Sequence, residues 1–113
     1  MKEVRAFIKE FKLADVIWAL HAIDGLSGVT MTEVYGYGRG KALNSEDKVK
    51  FISVDSLHGV KLEIACKDEL VDQVVSTIQK AAHTGLRGDG KIYVSEILKA
   101  VRISTNETGE AAV

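Results

Sequence analysis

Apolar and polar positions alternate at the start of the chain, where Val4, Ala6 and Ile8 are separated by Glu3, Arg5, Phe7 and Lys9. A period of two puts successive side chains on opposite faces, so this segment predicts a half-buried β-strand. The period then lengthens. Leu13, Val16, Ile17, Leu20 and Ile23 recur at helical spacing, with Lys12, Asp15 and His21 elsewhere on the cylinder, which predicts an amphipathic helix. Asp24-Gly25 ends it and turns the chain. Residues 29–35 are rich in β-branched side chains and predict a second strand.

Periodicity fades after Gly36, and residues 37–58 read as a long loop. A loop of that length without structure of its own is uncommon in a compact domain and is usually functional. Some alternation over 48–54 allows part of it to pair as a ribbon. Val60, Leu62, Ile64 and Cys66 alternate again as a third strand, and Asp68 is placed to cap the helix that follows. Leu70, Val71, Val74, Val75, Ile78, Ala81 and Ala82 form that helix's apolar stripe. A glycine-rich loop over 84–91 leads to a short fourth strand, Ile92-Tyr93-Val94. Ser95 is placed to cap one more short helix through Ala100, residues 101–104 could form a last short strand, and residues 105–113 read as a mobile tail.

The order is strand-helix-strand, long loop, strand-helix-strand, with a faint internal repeat: Val4-x-Ala6-x-Ile8 and Val60-x-Leu62-x-Ile64 each precede a helix. The fold class this implies is α+β, a ferredoxin-like βαββαβ sandwich in one domain over residues 1–113. Two helices can cover only one face of its sheet. The other face carries Phe7 among others and would be wet in a lone subunit, and an apolar exposed face argues for oligomerisation.

Composition narrows the function. With 46% hydrophobic and 27% charged residues the chain is ordinary and globular. A net charge of −1 without a clustered basic face points away from nucleic acid. Its apolar runs are too short for a membrane-embedded protein, and residues 1–5 lack an apolar signal region. A single cysteine, Cys66, permits no intrachain disulfide and fits a reduced, cytoplasmic setting. Without any proline, the turns rest on ten glycines and on Asn and Asp.

Two glycine-rich segments are the candidates for chemistry: Gly36-Tyr37-Gly38-Arg39-Gly40 after the second strand, and Gly88-Asp89-Gly90-Lys91 before the fourth. Glycines permit positive φ and bring backbone N–H groups close to an anion. Arg39, Lys91 and Arg102 would together suit a di- or triphosphate. On local grounds the second segment reads equally as a hairpin turn, the first as a hinge for the long loop, and neither has a Walker or dinucleotide-binding spacing. His21, His58, His83 and Cys66 match no standard ligand spacing, so no metal site is assigned. Of these, His58 at the loop exit is hardest to set aside, Cys66 reads as a buried small hydrophobe and His21 as a helix-surface residue. Trp18, off the main stripe, reads as a partly buried surface residue or a subunit contact. No residue reads as a positioned general base, and Lys9-Glu10-Phe11-Lys12 lacks the glycine that an acylphosphatase-like anion loop would need, so no catalytic residue is assigned.

Four segments together resemble the P-II signal-transduction family: residues 8–13 (Ile-Lys-Glu-Phe-Lys-Leu), Gly28-Val29-Thr30-Met31-Thr32-Glu33-Val34 into Gly36-Tyr37-Gly38-Arg39, residues 81–85 into Gly88-Asp89-Gly90-Lys91-Ile92-Tyr93-Val94, and Val101-Arg102-Ile103 with residues 107–113. The resemblance implies a homotrimer that binds ATP or ADP competitively in clefts between subunits. It also implies a loop that docks on a target protein, with a membrane transporter as an expected kind. Gly28, Val29 and Thr30 would contact adenine from one subunit, and Phe7, Ile64 and Ala65 would line the purine pocket. Gly36, Tyr37, Gly38 and Arg39 would wrap the nucleotide at the base of the loop. Gly88, Asp89, Gly90 and Lys91 would hold the phosphates, and Arg102 would reach them from the other subunit. The nucleotide, ADP, AMP or ATP, would be a regulatory ligand and not a cofactor.

The departures are informative. Where the family usually has a Gln that helps hold magnesium, and a Lys that pairs with 2-oxoglutarate, this chain has Gly40 and Gly59. The usual proline is Glu10, a second C-terminal arginine is Ser104, and the tyrosine that many members have uridylylated aligns with Ile52. Ser45 is a motif-free loop serine and reads as solvated. The expectation is a divergent nucleotide-responsive regulator without 2-oxoglutarate sensing or uridylylation. A metal- or bicarbonate-responsive trimer linked to a transporter is the other reading.

Overall fold

The computed structural model describes residues 1–36 and 58–113. Four strands, β1 (Lys2–Lys9), β2 (Thr30–Tyr35), β3 (His58–Cys66) and β4 (Lys91–Glu96), and two helices, α1 (Leu13–His21) and α2 (Val71–Ala82), follow one another as β1-α1-β2-β3-α2-β4. The sheet order is β2-β3-β1-β4 with every neighbouring pair antiparallel. This is the ferredoxin-like arrangement expected from the periodicities.

The internal repeat extends to the way each helix begins. A single 3₁₀ turn joins strand to helix in both halves, Glu10–Lys12 before α1 and Asp68–Leu70 before α2. Asp68 does not cap α2. Its carboxylate instead accepts from the Met1 amine at 2.8 Å, and the pair holds the carboxyl below its usual range and the amine above its own. After α1, Gly25 turns the chain with φ of +85°.

The core lies between the sheet and the two helices. Val4, Ala6 and Ile8 from β1, Val60, Leu62, Ile64 and Cys66 from β3, Val16 and Leu20 from α1, and Val74, Ile78 and Ala82 from α2 are all buried. These are the positions marked by the alternation and by the two helical stripes. Cys66 is a buried free thiol whose pKa is raised by desolvation.

Several expectations are corrected. Trp18 is 79% exposed, so it is not partly buried within the chain. The open sheet face is not an apolar surface, because charged pairs alternate along it: Arg5 with Glu3 at 3.0 Å, and Lys61 with Glu63 at 3.0 Å. Its aromatic content is Phe7 edge-to-face with Tyr93, ring centroids 6.2 Å apart. The short helix starting at Ser95 is absent. Ser95 and Glu96 continue the ladder with β1, and Ile97 N–H donates to the Met1 carbonyl at 3.1 Å, which keeps the backbone extended. In place of a strand over 101–104 there is one bridge, Val101 to Thr108, with Arg102 N–H donating to the Glu107 carbonyl at 2.9 Å and a 3₁₀ turn at Gly109–Ala112. The expected ribbon over 48–54 lies outside the described residues.

Leu62 stands in the middle of β3 with no exposure. Leu62→Ala should therefore cost about 2–5 kcal/mol of stability in equilibrium urea unfolding. A loss below about 1 kcal/mol would mean that the site collapses around the smaller side chain.

Candidate functional site

The loop over residues 83–90 joins the end of α2 to the start of β4. It is a helix-to-strand connection, so the hairpin-turn reading of Gly88-Asp89-Gly90 does not hold. Three of its glycines have positive φ: Gly85 at +79°, Gly88 at +81° and Gly90 at +104°. Gly90 is constrained twice over, since a Cβ there would stand 1.6 Å from the Phe7 carbonyl oxygen. The loop is thus pressed onto the backbone of β1, and no side chain can come between.

A side-chain staple holds the loop shape. Asp89 accepts from Thr84 N–H at 2.8 Å and from the Thr84 hydroxyl, and Lys9 Nζ stands 3.1 Å from the same carboxylate. The Thr84 oxygen in turn accepts from Lys9 Nζ at 3.2 Å and from Leu86 N–H at 3.0 Å. The Thr84 hydroxyl, then its N–H, with Lys9 behind them, hold the Asp89 carboxyl well below the usual carboxylate range. Asp89 is therefore turned inward and fixes the loop, and its carboxylate is spent on the protein's own donors. Lys91, next along, is exposed and forms no ion pair among the described residues.

The other predicted residues fall into separate places. Phe7 pairs across β1 with both Lys61 and Lys91, so it sits on the open face beside the loop. Ala65 is on the same face, exposed, four residues along β3 from Lys61, or ~13 Å at strand rise. Thr30 opens β2 opposite Glu63, with Gly28 and Val29 just before it, next to the Ala65 end. β2 and β4 are opposite edges of the sheet, so Thr30 and Lys91 belong to edges about 14 Å apart. Ile64 is fully buried in the core, which leaves no side-chain surface to line a purine pocket. Gly36 follows β2 directly. Tyr37, Gly38 and Arg39, like Gly40, Ser45 and Ile52, lie outside the described residues.

Arg102 is displaced the other way. β4 runs from Lys91, opposite Phe7, to Glu96, opposite Lys2, so residues beyond it leave at the Met1 end of the sheet. Arg102 is half-exposed, 3.6 Å from Glu107. Within one chain, the loop at 88–91 and Arg102 leave opposite ends of β4.

The staple and the glycine contacts were not visible in the sequence. Lys9 meets Thr84 across 75 residues of chain, Asp89 joins them from further along, and no local motif announces them. The resemblance gives Asp89 a backbone N–H role toward phosphate, and its carboxylate faces Thr84 and Lys9.

The family model described as "Nitrogen regulatory protein P-II" matches residues 1–107. Nitrogen regulatory protein P-II of Haemophilus influenzae is 47% identical over 113 residues, covering 100% of both chains. Nitrogen regulatory protein GlnK of Escherichia coli K12 is 45% identical, and nitrogen regulatory protein P-II of Azospirillum brasilense 44%, each over 113 residues and 100% of both chains.

Two outcomes follow for the loop. Gly88→Ala, strained only by its φ, should cost about 1–2 kcal/mol, and Gly90→Ala should cost clearly more because it must also push the loop off β1. Equal costs in urea unfolding would show that the loop yields freely. Asp89→Asn should lower the melting temperature at pH 7. Since the folded carboxyl titrates below the unfolded one, its contribution is complete above about pH 4 and falls away as pH drops further. The gap between the two proteins should then narrow below pH 4, and a pH-independent gap would contradict the staple.

Proposed function

The chain belongs to the P-II family of nitrogen regulatory proteins, and from that premise we propose that it is a nucleotide-responsive regulator working as a homotrimer. Members of this family are regulatory signal transducers and not enzymes. The observation that carries the nucleotide reading is the inward turn of Asp89. With its acid neutralised by Lys9 and hydrogen-bonded by Thr84, the glycine loop presents positive-φ backbone and the cation of Lys91, which forms no ion pair among the described residues, a combination suited to phosphate oxygens.

An extended adenine nucleotide would lie along the open face. Its purine would rest between Ala65 and the Gly28-Val29-Thr30 edge, its phosphates would meet Gly88, Gly90 and Lys91, and Phe7 would line the stretch between them next to the loop. Arg102 leaves its own chain at the far end of β4, so the arginine completing a phosphate site would come from a neighbouring subunit. This supports a cleft shared between chains, in which nucleotide also stabilises the assembly. The segment between β2 and β3 would carry the signal to a target protein, with ADP, AMP or ATP selecting among its states by differential affinity. Among the described residues no helix is long and apolar enough to cross a membrane, and we place the protein in the cytoplasm, acting on a partner such as a membrane transporter. Gly59 offers no side-chain cation beside this site, and an added Cβ would come within 3.0 Å of the Ile8 carbonyl. The reading therefore excludes a lysine-held 2-oxoglutarate.

Calorimetric titration with ATP, ADP and AMP should give micromolar binding to a trimer, unaffected by 2-oxoglutarate. Lys91→Ala and Arg102→Ala should each weaken it at least tenfold, about 1.4 kcal/mol. Binding unchanged by both substitutions would refute the assigned site, and strong cooperativity with 2-oxoglutarate would overturn the role given to Gly59.

A further inference from the structure

Three residues from separate parts of the chain converge where β1 ends, β2 ends and β3 begins. Glu10 opens the 3₁₀ turn after β1, Glu33 lies near the end of β2 and His58 starts β3. His58 Nδ1 stands 2.8 Å from a Glu10 oxygen and Nε2 stands 3.6 Å from a Glu33 oxygen. Candidate ligand atoms from all three lie within 4.8 Å of one another. The Tyr35 ring stacks on the imidazole, centroids 5.2 Å apart and 18° from parallel, and fixes its plane.

The hydrogen-bond arithmetic leaves one atom over. A neutral imidazole has one donor nitrogen and one acceptor nitrogen. Glu10, at hydrogen-bond distance, takes the donor at Nδ1. Nε2 is then a lone pair facing a carboxylate oxygen, with no hydrogen between them. Among the described residues it is the one buried side-chain nitrogen or oxygen without a hydrogen-bond partner. Two acceptors that face each other invite a cation. Ligands at about 2.0–2.1 Å from one ion, at tetrahedral or octahedral angles, stand about 3.0–3.4 Å apart, so 3.6 Å needs only a small closing movement. A carboxylate on the far ring nitrogen is also the usual way a ligating histidine is oriented.

We propose that His58 Nε2 and Glu33 bind a divalent transition cation of the zinc class, with Glu10 holding the imidazole through Nδ1–H. A nitrogen and a carboxylate oxygen suit that class better than the all-oxygen shell of magnesium or calcium. Two protein ligands leave further positions open to water or to an added donor. The site is at the opposite face of the sheet from Phe7 and Lys91, because Glu33 and His58 follow the same alternation as buried Val60. It does not depend on the nucleotide reading.

The test uses the full chain and metal alone. Zn²⁺ competed against a chromophoric chelator should load one ion per chain. His58→Ala should abolish saturable uptake, Glu33→Gln should weaken it at least tenfold, and Glu10→Gln should weaken it less than Glu33→Gln does. Far-UV dichroism should be unchanged, since none of the three side chains is in the core. Co²⁺ should shift or broaden the His58 ring resonances selectively among the three histidines, a readout that needs no variant. Uptake that persists in His58→Ala, Co²⁺ effects centred on His21 or His83, or an imidazolium bridging both carboxylates with no saturable metal response would each overturn the proposal.

Discussion

β1 is hydrogen-bonded along both edges, and the rest of the protein is arranged by that fact. From Lys2 to Lys9 it pairs with β3, and from Lys2 to Phe7 with β4. Its inward side chains Val4, Ala6 and Ile8 receive both helices. Its outward side chains set the open face, and its last carbonyls set how closely the glycine loop can approach. The contact of Gly90 with the Phe7 carbonyl therefore couples the candidate phosphate loop to the most constrained strand of the sheet. A loop held on such a strand is preorganised, which lowers the ordering cost of binding an anion.

The two faces of the sheet have divided the chemistry. One face is covered by helices over most of its area and becomes polar only beyond Ile8 and Val60, where Glu10, Glu33 and His58 meet. The other remains open and combines ion pairs with the Phe7–Tyr93 contact. Both candidate sites stand at the same end of the sheet, on either side of the point from which the chain leaves β2 and returns to β3. Both therefore adjoin the strand ends at which the chain leaves β2 and enters β3.

Periodicity was enough to read β1, β3, both helices and the core, because a strand or helix half-buried on one sheet must repeat its apolar positions at two or at 3.6 residues, while β2 and β4 were read from their β-branched and aromatic content. It was weaker where backbone hydrogen bonds decide. Ser95 looks like a cap, yet the vacant edge of β1 takes it into a ladder. Asp68 looks like a cap too, but an amine at 2.8 Å outcompetes the helix N–H groups for it. The candidate sites were legible as residue types and not as geometry. Glycine and lysine at 88–91 pointed to an anion loop, whereas the inward role of Asp89 depends on Lys9 and Thr84, distant in sequence. Ile64, which the resemblance assigns to the purine pocket, has its side chain in the core, which leaves only its backbone for that role.

The central position of the first strand also governs how the protein is made. Lys2 meets Glu96, 94 residues later, and at about 5–20 residues per second of synthesis the opening strand waits roughly 5–20 s for its outer neighbour. Until then Val4, Ala6 and Ile8 have no finished sheet to enter, and the loop that rests on the Phe7 carbonyl has not been made. Most contacts among the described residues are nonlocal, an arrangement that slows folding through chain topology. During that interval the apolar side chains of residues 2–9 lack the strand that completes their side of the sheet.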